Sequence, residues 1–497
     1  MKSRTTRRAF LLGAIALGLP GRAGADGFPG GLGEVFGPLF GARSNLRDRL
    51  RRRHPGAGAT DRLRHWNEIA VDASGLDHTP VPPGDSRVFG EQVGPGRSSR
   101  AMAIVHIAVF DALNAIAGGY QGYTGLRPAP DGTSAEAAIA LAAHDTLVAL
   151  FPSQRADLDA QLDDDLAGVR DGRAKTNGIK LGRAAAAAIL ARRADDGAGH
   201  PEPRVGIDFI TSDEPGKWRQ DPISQHPLAL GAHWGDVAPF VLKAGDQFRV
   251  PPPPDLDSRA YTAAFNEVKA LGGDGVVTPT VRTDDQTFAG IYWAYDGTPS
   301  LCAPPRLYNQ IAMRIAEQRK TRGIELARLL ALINTAMADA GIAIWESKYR
   351  YEFWRPVTGI RERDGNPRTE KDPTYSPLGA PASNLTGPNF TPPFPAYPSG
   401  HAGFGAALFQ VLRDFYETDR IAFTFVSDEF NGETVDNQGN VRPLVPRSFA
   451  SLSEAEEENG QSRIYLGIHW AFDKTEGITQ GRRVADYVFS KAFTRRR

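Results

Sequence analysis

The chain has 497 residues, with 58 basic and 58 acidic side chains, so it carries no net charge at neutral pH. That balance excludes a generally basic nucleic-acid-binding surface and an acidic tail, and any cationic site must be local. A single cysteine, Cys302, excludes an internal disulfide and a Cys-based metal centre.

In chain order, Arg4, Arg7 and Arg8 precede an uncharged run from Ala9 to Gly21, and Ala23-Gly24-Ala25 offers a small-residue cleavage site. Residues 1–25 therefore read as an export signal of the twin-arginine type, too short and glycine-rich to span a bilayer. A periplasmic or extracellular location without stable membrane association is expected. Residues 26–60 are rich in Gly and Arg and read as a flexible leader poor in core-forming residues. Order is expected from near Asp61.

The half spanning 61–320 shows helical periodicity at 99–117, 134–150, 153–169 and 173–195, then again at 258–271, 283–295 and 310–319. Between them, 199–254 is dominated by Gly, Pro, His and Trp and reads as a long functional or covering loop. In the half spanning 321–497, a long apolar-striped helix is expected at 323–351, a second Pro- and Gly-rich loop at 356–397, a helix at 401–416 and a final helix at 463–489. Strand signals are scarce, so the fold class is all-α.

Three short clusters in the last third carry the chemistry. Lys348 is followed at a spacing of seven by Arg355-Pro356. On one helix that spacing puts both cations on nearly the same face, with Pro356 ending the helix. The competing reading is a surface ion pair of Lys348 with Glu352. Pro398-Ser399-Gly400-His401 precedes a helical run, so it sits at a helix N-terminus, where free N–H groups favour an anion. There His401 is a candidate acid or base; the competing reading is a Ser cap beside an exposed His. His469 and Asp473 are four apart. Asp473 can take one ring N–H and leave the other nitrogen free as ligand or nucleophile, unless the two form a plain surface pair. Arg463 is placed at or before the start of that last helix.

Taken together, Lys-x6-Arg-Pro, Pro-Ser-Gly-His and Ser-Arg-x5-His-x3-Asp resemble the signature shared by vanadium-dependent haloperoxidases and type 2 phosphatidic acid phosphatases. The resemblance implies a mainly helical domain built from two four-helix bundles, with the site at one end of the C-terminal bundle. It implies one vanadate per chain, with His469 as the metal ligand. Lys348, Arg355, Ser399, Gly400 and Arg463 would hold its oxygens, and His401 would act as acid/base. Lys348 would polarise hydrogen peroxide, which oxidises halide; an organic acceptor is left open. Phe394 stands at a position typical of chloro-type enzymes, Trp345 would wall the pocket, and Asp296 would pair with Arg463. The alternative is an exported acid phosphatase in which His469 is the phosphoryl nucleophile and His401 protonates the leaving group. A non-catalytic oxyanion carrier would not need the paired histidines.

Overall fold

The computed structural model describes residues 31–43, 56 and 58–496; the expected signal at 1–25 lies outside the described residues. The first element is a five-residue helix, α1 (Leu32–Phe36), followed by strand β1 (Gly41–Ala42). Leu32, Val35, Phe36 and Phe40 are buried. This part of the expected leader is therefore packed against the body, and of its larger apolar side chains only Leu39 stays exposed.

Helices α2 (Ala59–Asp77), α3 (Gly94–Ala117), α4 (Ala135–Leu150), α5 (Arg155–Ala167) and α6 (Arg173–Arg192) follow. Ser134 caps α4 by accepting from Ala137 N–H. After the 199–254 loop come α7 (Arg259–Leu271), α8 (Asp284–Tyr292), α9 (Pro304–Gln318), α10 (Gly323–Tyr351) and α11 (Pro356–Arg361). Strand β2 (Leu385–Thr386), α12 (Gly400–Tyr416), β3 (Phe423–Asn431), β4 (Leu444–Phe449), α13 (Leu452–Tyr465) and α14 (Ala471–Lys491) complete the order. Four of these helices were not expected from the sequence: α1 in the leader, α2, α11 in the second loop, and α13. The expected last helix at 463–489 is instead two helices, broken at 466–470.

Helices α2, α3, α4 and α6 pack on one another, as do α10, α12, α13 and α14. The two groups meet where α10 lies along α3, and one hydrophobic core runs through both. By length and composition α3 and α10 could each cross a membrane, yet 83% and 94% of their apolar windows are buried inside the protein. Their apolarity serves this core. Close approach between α12 and α14 depends on small residues: a Cβ on Gly481 would meet the Gly403 carbonyl oxygen at 2.2 Å.

The sheets are small. β1 pairs antiparallel with β2, and β3 with β4 in a hairpin whose register sets Phe423 opposite Phe449. Burial alternates along most of β3, but its buried positions include Ser427 and Glu429 as well as phenylalanines. Those polar residues mask the period-2 pattern in the sequence.

The 199–254 segment holds only short 3-10 turns and lies over α10. Asp339 accepts the backbone N–H groups of Phe240, Val241 and Leu242 at 2.6, 2.8 and 2.9 Å. Trp345 Nε1 and Tyr349 OH both donate to the Leu230 carbonyl, at 3.1 and 2.9 Å. Gly231, at φ +77°, passes so near Trp345 that a Cβ would meet Nε1 at 2.3 Å, so only glycine serves there.

Candidate oxyanion site

Lys348 lies in the last turn of α10, but that helix stops at Tyr351, where Glu352 turns into the left-handed region at φ 50°. Arg355 is the residue before α11, and Pro356 opens that helix. The expectation that both cations share one helical face is therefore wrong. A proline is as well suited to the first turn of a helix as to ending one, and the spacing alone does not distinguish the two. The cations meet across a turn.

Ser399 caps α12 and accepts from Ala402 N–H, which leaves Gly400 and His401 as the first two helical residues. Arg463 lies in the last turn of α13, not at the start of a helix. His469 falls in the break between the last two helices, one residue ahead of Trp470, which caps α14. Asp473 sits in the first turn of α14, where its Oδ2 accepts both Trp470 N–H at 3.0 Å and His469 Nδ1–H at 2.8 Å. Trp470 is itself fixed, with Nε1 donating to the Trp354 carbonyl at 2.9 Å and its ring stacked with Phe265 and Phe472.

These segments converge. Lys348, Arg355, Ser399, His401, Arg463, His469 and Asp473 are all buried, which removes the surface-pair and exposed-His readings. Lys348 Nζ donates to the carbonyls of Pro395 and Ala396 at 2.7 and 2.9 Å. Arg355 Nε donates to Phe394 O at 2.9 Å, and its Nη1 donates to Ile468 O at 2.8 Å and to His469 Nε2 at 2.9 Å. His469 thus carries its proton on Nδ1 and turns the Nε2 lone pair toward the cations. Arg463 Nη2 pairs with Asp296 Oδ1 at 2.6 Å. His401 Nε2–H donates to the Ala294 carbonyl, and its Nδ1 lies 3.8 Å from Asp296 Oδ1.

Phe394 lies 4.9 Å from Trp345, centroid to centroid. Its face is also approached by Lys348 Nζ at 5.1 Å and Arg355 Cζ at 5.0 Å. An electron-rich ring face beside two cations lowers their mutual repulsion.

Burial dominates the proton equilibria. It drives the Lys348 ammonium well below its ordinary range, reinforced by Arg355, and takes the Arg355 guanidinium down to about 9. His401 and His469 are both held well below the usual imidazole value, first by burial and then by the neighbouring arginines. Asp473 is pushed up to about 7, chiefly by burial. Burial also raises Asp296, against the lowering by Arg463. Both histidines are thus neutral at neutral pH in a field set by cations.

The polar atoms left over show what the site fits. Arg355 Nη2, Arg463 Nε and Arg463 Nη1 are buried with no hydrogen-bond partner among the described residues. A buried unpaired donor costs about 1–3 kcal/mol, more when charged, so three of them on two guanidiniums match an anion with several oxygens. Among the described residues no group of three or more His, Cys, Asp or Glu could hold a bare metal ion. The donor set suits a tetrahedral oxyanion such as vanadate or phosphate.

A cavity lies beside this cluster, lined by Asp296, Gly400, His401, Arg463 and His469 and otherwise mostly by apolar side chains, Trp345 and Phe394 among them. Most of its lining residues were not singled out from sequence, among them Val35 and Phe36 from the leader and Phe404 from α12. His226 and Leu230, from the covering loop, also line it. A five-residue helix has too few turns to show a period, and a lone His in an irregular loop gives no spacing to read. The carbonyls that hold Lys348, Arg355 and His401 carry no sequence signal at all.

The family model for the VCPO second helical-bundle domain matches residues 328–496, the stretch that carries every named site residue except Asp296. The chain is 32% identical to the vanadium chloroperoxidase of Curvularia inaequalis over 491 residues, covering 83% of this chain and 79% of that protein. It is similar in fold to the crystal structure of a bacterial vanadium-dependent iodoperoxidase, with TM-score 0.69 and 23% identity over 88% of this chain and 98% of that one. The holo form of a bacterial vanadium-dependent chloroperoxidase gives TM-score 0.60 and 17% identity over 82% of this chain and 94% of that one.

Proposed function

The chain belongs to the vanadium-dependent haloperoxidase family, and from that premise we propose that it oxidises chloride or bromide with hydrogen peroxide to hypohalous acid, holding one vanadate per chain. The observation that carries this reading is the set of buried, unpartnered guanidinium nitrogens on Arg355 and Arg463 beside the His469 Nε2 lone pair.

His469 would ligate the group through Nε2, with Asp473 fixing the tautomer from the other side of the ring. Arg355, Arg463, Lys348, the Ser399 hydroxyl and the Gly400 N–H would neutralise its oxygens, and the N-terminus of α12 adds its positive end. When bound, vanadate supplies a Lewis-acidic centre that activates peroxide toward halide. His401 serves as the base: Nε2–H is committed to the Ala294 carbonyl, so Nδ1 is the atom that takes the peroxide proton. Lys348 places a cation near the reacting oxygens, and Phe394 with Trp345 keeps water from that side. Phe394 is assigned a role in a chloro-type halide preference. Export through a twin-arginine-type signal at 1–25, without stable membrane association, rests on the sequence alone.

The same His469–Asp473 pair could serve phosphoryl transfer, so the test runs both assays. Protein incubated with orthovanadate is mixed with peroxide, each halide in turn and a dye that bleaches on halogenation. Vanadate-free protein is given p-nitrophenyl phosphate. Vanadate- and halide-dependent bleaching is expected; phosphate release without any bleaching would assign the phosphatase instead.

A further inference from the structure

We propose that the cavity beside the oxyanion site is a binding site for the organic acceptor itself, a phenol-class molecule held there while it is halogenated. This rests on the haloperoxidase reading and names its acceptor.

The cavity is walled mostly by apolar side chains with a few convergent polar groups, the make-up of small-molecule sites, and neither peroxide nor a halide ion gains anything from apolar walls. Its hydrophobic walls come from distant parts of the chain: Phe36 from α1, Leu230 from the covering loop, Trp345 from α10, Phe390 and Phe394 from the second loop, and Phe404 from α12. The chain is built to close it. Phe36 packs edge-on against Phe390 at 5.5 Å and against His226 at 6.2 Å. Gly37 passes so close to the covering loop that a Cβ would lie 2.4 Å from the Ser224 carbonyl oxygen. The β1–β2 pairing fastens the segment just beyond.

Apart from Asp296, His401, Arg463 and His469 of the oxyanion site, one titratable side chain lines the cavity, His226. It is 2% exposed. Its Nδ1 accepts the Leu228 N–H at 3.4 Å, and burial takes its pKa down to about 3, so the ring is neutral and Nε2 bears the hydrogen. A neutral N–H in an apolar chamber suits a hydroxyl oxygen on an otherwise apolar molecule, and it discriminates against one that lacks the hydroxyl.

A phenol ring is electron-rich and attacks the halogen of hypohalous acid. The oxygen–halogen bond breaks as the carbon–halogen bond forms, and the displaced ring proton joins the departing hydroxide as water. The oxidant is the peroxide already consumed in making hypohalous acid.

The test is calorimetric titration of the vanadate-free full-length protein with 2-naphthol and with naphthalene. Saturable binding of 2-naphthol at one site is expected. His226→Phe should weaken 2-naphthol about tenfold, one hydrogen bond's worth, and leave naphthalene nearly unaffected. Val35→Trp, which fills the cavity, should abolish binding of both; Phe36→Ala serves the same end by opening the wall. Absence of saturable 2-naphthol binding, or wild-type binding in all three variants, would overturn the site. Binding is read without vanadate or peroxide, so a protein that binds 2-naphthol but oxidises no bromide supports the site and counts against the haloperoxidase reading. With vanadate, peroxide and bromide added, phenol should give an ortho-to-para ratio unlike that of free hypobromite; an identical ratio overturns halogenation within the cavity.

Discussion

His469 is held at both ring nitrogens, by Asp473 at Nδ1 and by Arg355 at Nε2. Replacing it by Ala removes the nitrogen lone pair that Arg355 holds in the cationic cluster. His469→Ala should weaken orthovanadate binding by more than about a hundredfold, beyond the usual cost of losing an outer partner, with circular dichroism unchanged; wild-type peroxidase activity in this variant would contradict the ligand assignment. Phe394 touches chemistry differently, since its ring face lies 5.1 Å from Lys348 Nζ and 5.0 Å from Arg355 Cζ. Phe394→His should move the bromide-to-chloride ratio of kcat/KM upward by about tenfold, equivalent to about 1.4 kcal/mol of transition-state discrimination; steady-state kinetics with each halide decides it. His469 was legible in the sequence as part of three spaced clusters of cations and imidazoles in a neutral chain, and Phe394 only through the resemblance those clusters carry. Asp473 was legible as the partner of His469, but the backbone carbonyls that hold Lys348, Arg355 and His401 were not, because they are brought in from elsewhere in the fold.

The break between α13 and α14 is the element that makes the site. It turns at Gly467, φ +72°, where a Cβ would lie 2.5 Å from the Gly272 carbonyl oxygen, and it delivers the Ile468 carbonyl to Arg355 and His469 to the cluster. Gly467→Ala should lower unfolding stability by about 1–3 kcal/mol through left-handed strain and the clash and should weaken vanadate binding; denaturant melts and calorimetry check both. Apolar periodicity continues on either side of this break, so 463–489 reads from the sequence as one helix. The covering loop depends on Asp339, whose carboxyl is pushed up to about 6 by burial, against the lowering by its three backbone N–H donors. Between about pH 4 and pH 6 the native state keeps a proton that the unfolded state has lost, so this group's contribution to stability falls as pH rises through that window. Relative to Asp339→Asn, wild type should lose up to about 3 kcal/mol between those pH values, about 1.4 kcal/mol per unit. Parallel pH profiles from denaturant melts would remove Asp339 from that account.

At the scale of the whole molecule, a chain with balanced charge concentrates one lysine and two arginines in a buried nest at the end of α10, α12, α13 and α14. Burying cations without full compensation is unfavourable, and α3 and α10, apolar enough to cross a membrane, supply core to both bundles. The all-α class and the long helix Gly323–Tyr351 were readable from periodicity alone. The hairpin of β3 and β4 was not, since Ser427 and Glu429 occupy inward positions. Nor was the packing of Leu32–Phe36, too short to show any repeat. A nest of this kind should be relieved by an anion, so ligand and fold stability are linked. The most direct test is to titrate purified protein with orthovanadate, following heat release and the unfolding temperature together. One vanadate per chain, a rise in Tm and displacement by phosphate are the predicted result. No saturable binding and no shift in Tm would contradict the claim that Lys348, Arg355, Arg463 and His469 together form an oxyanion site.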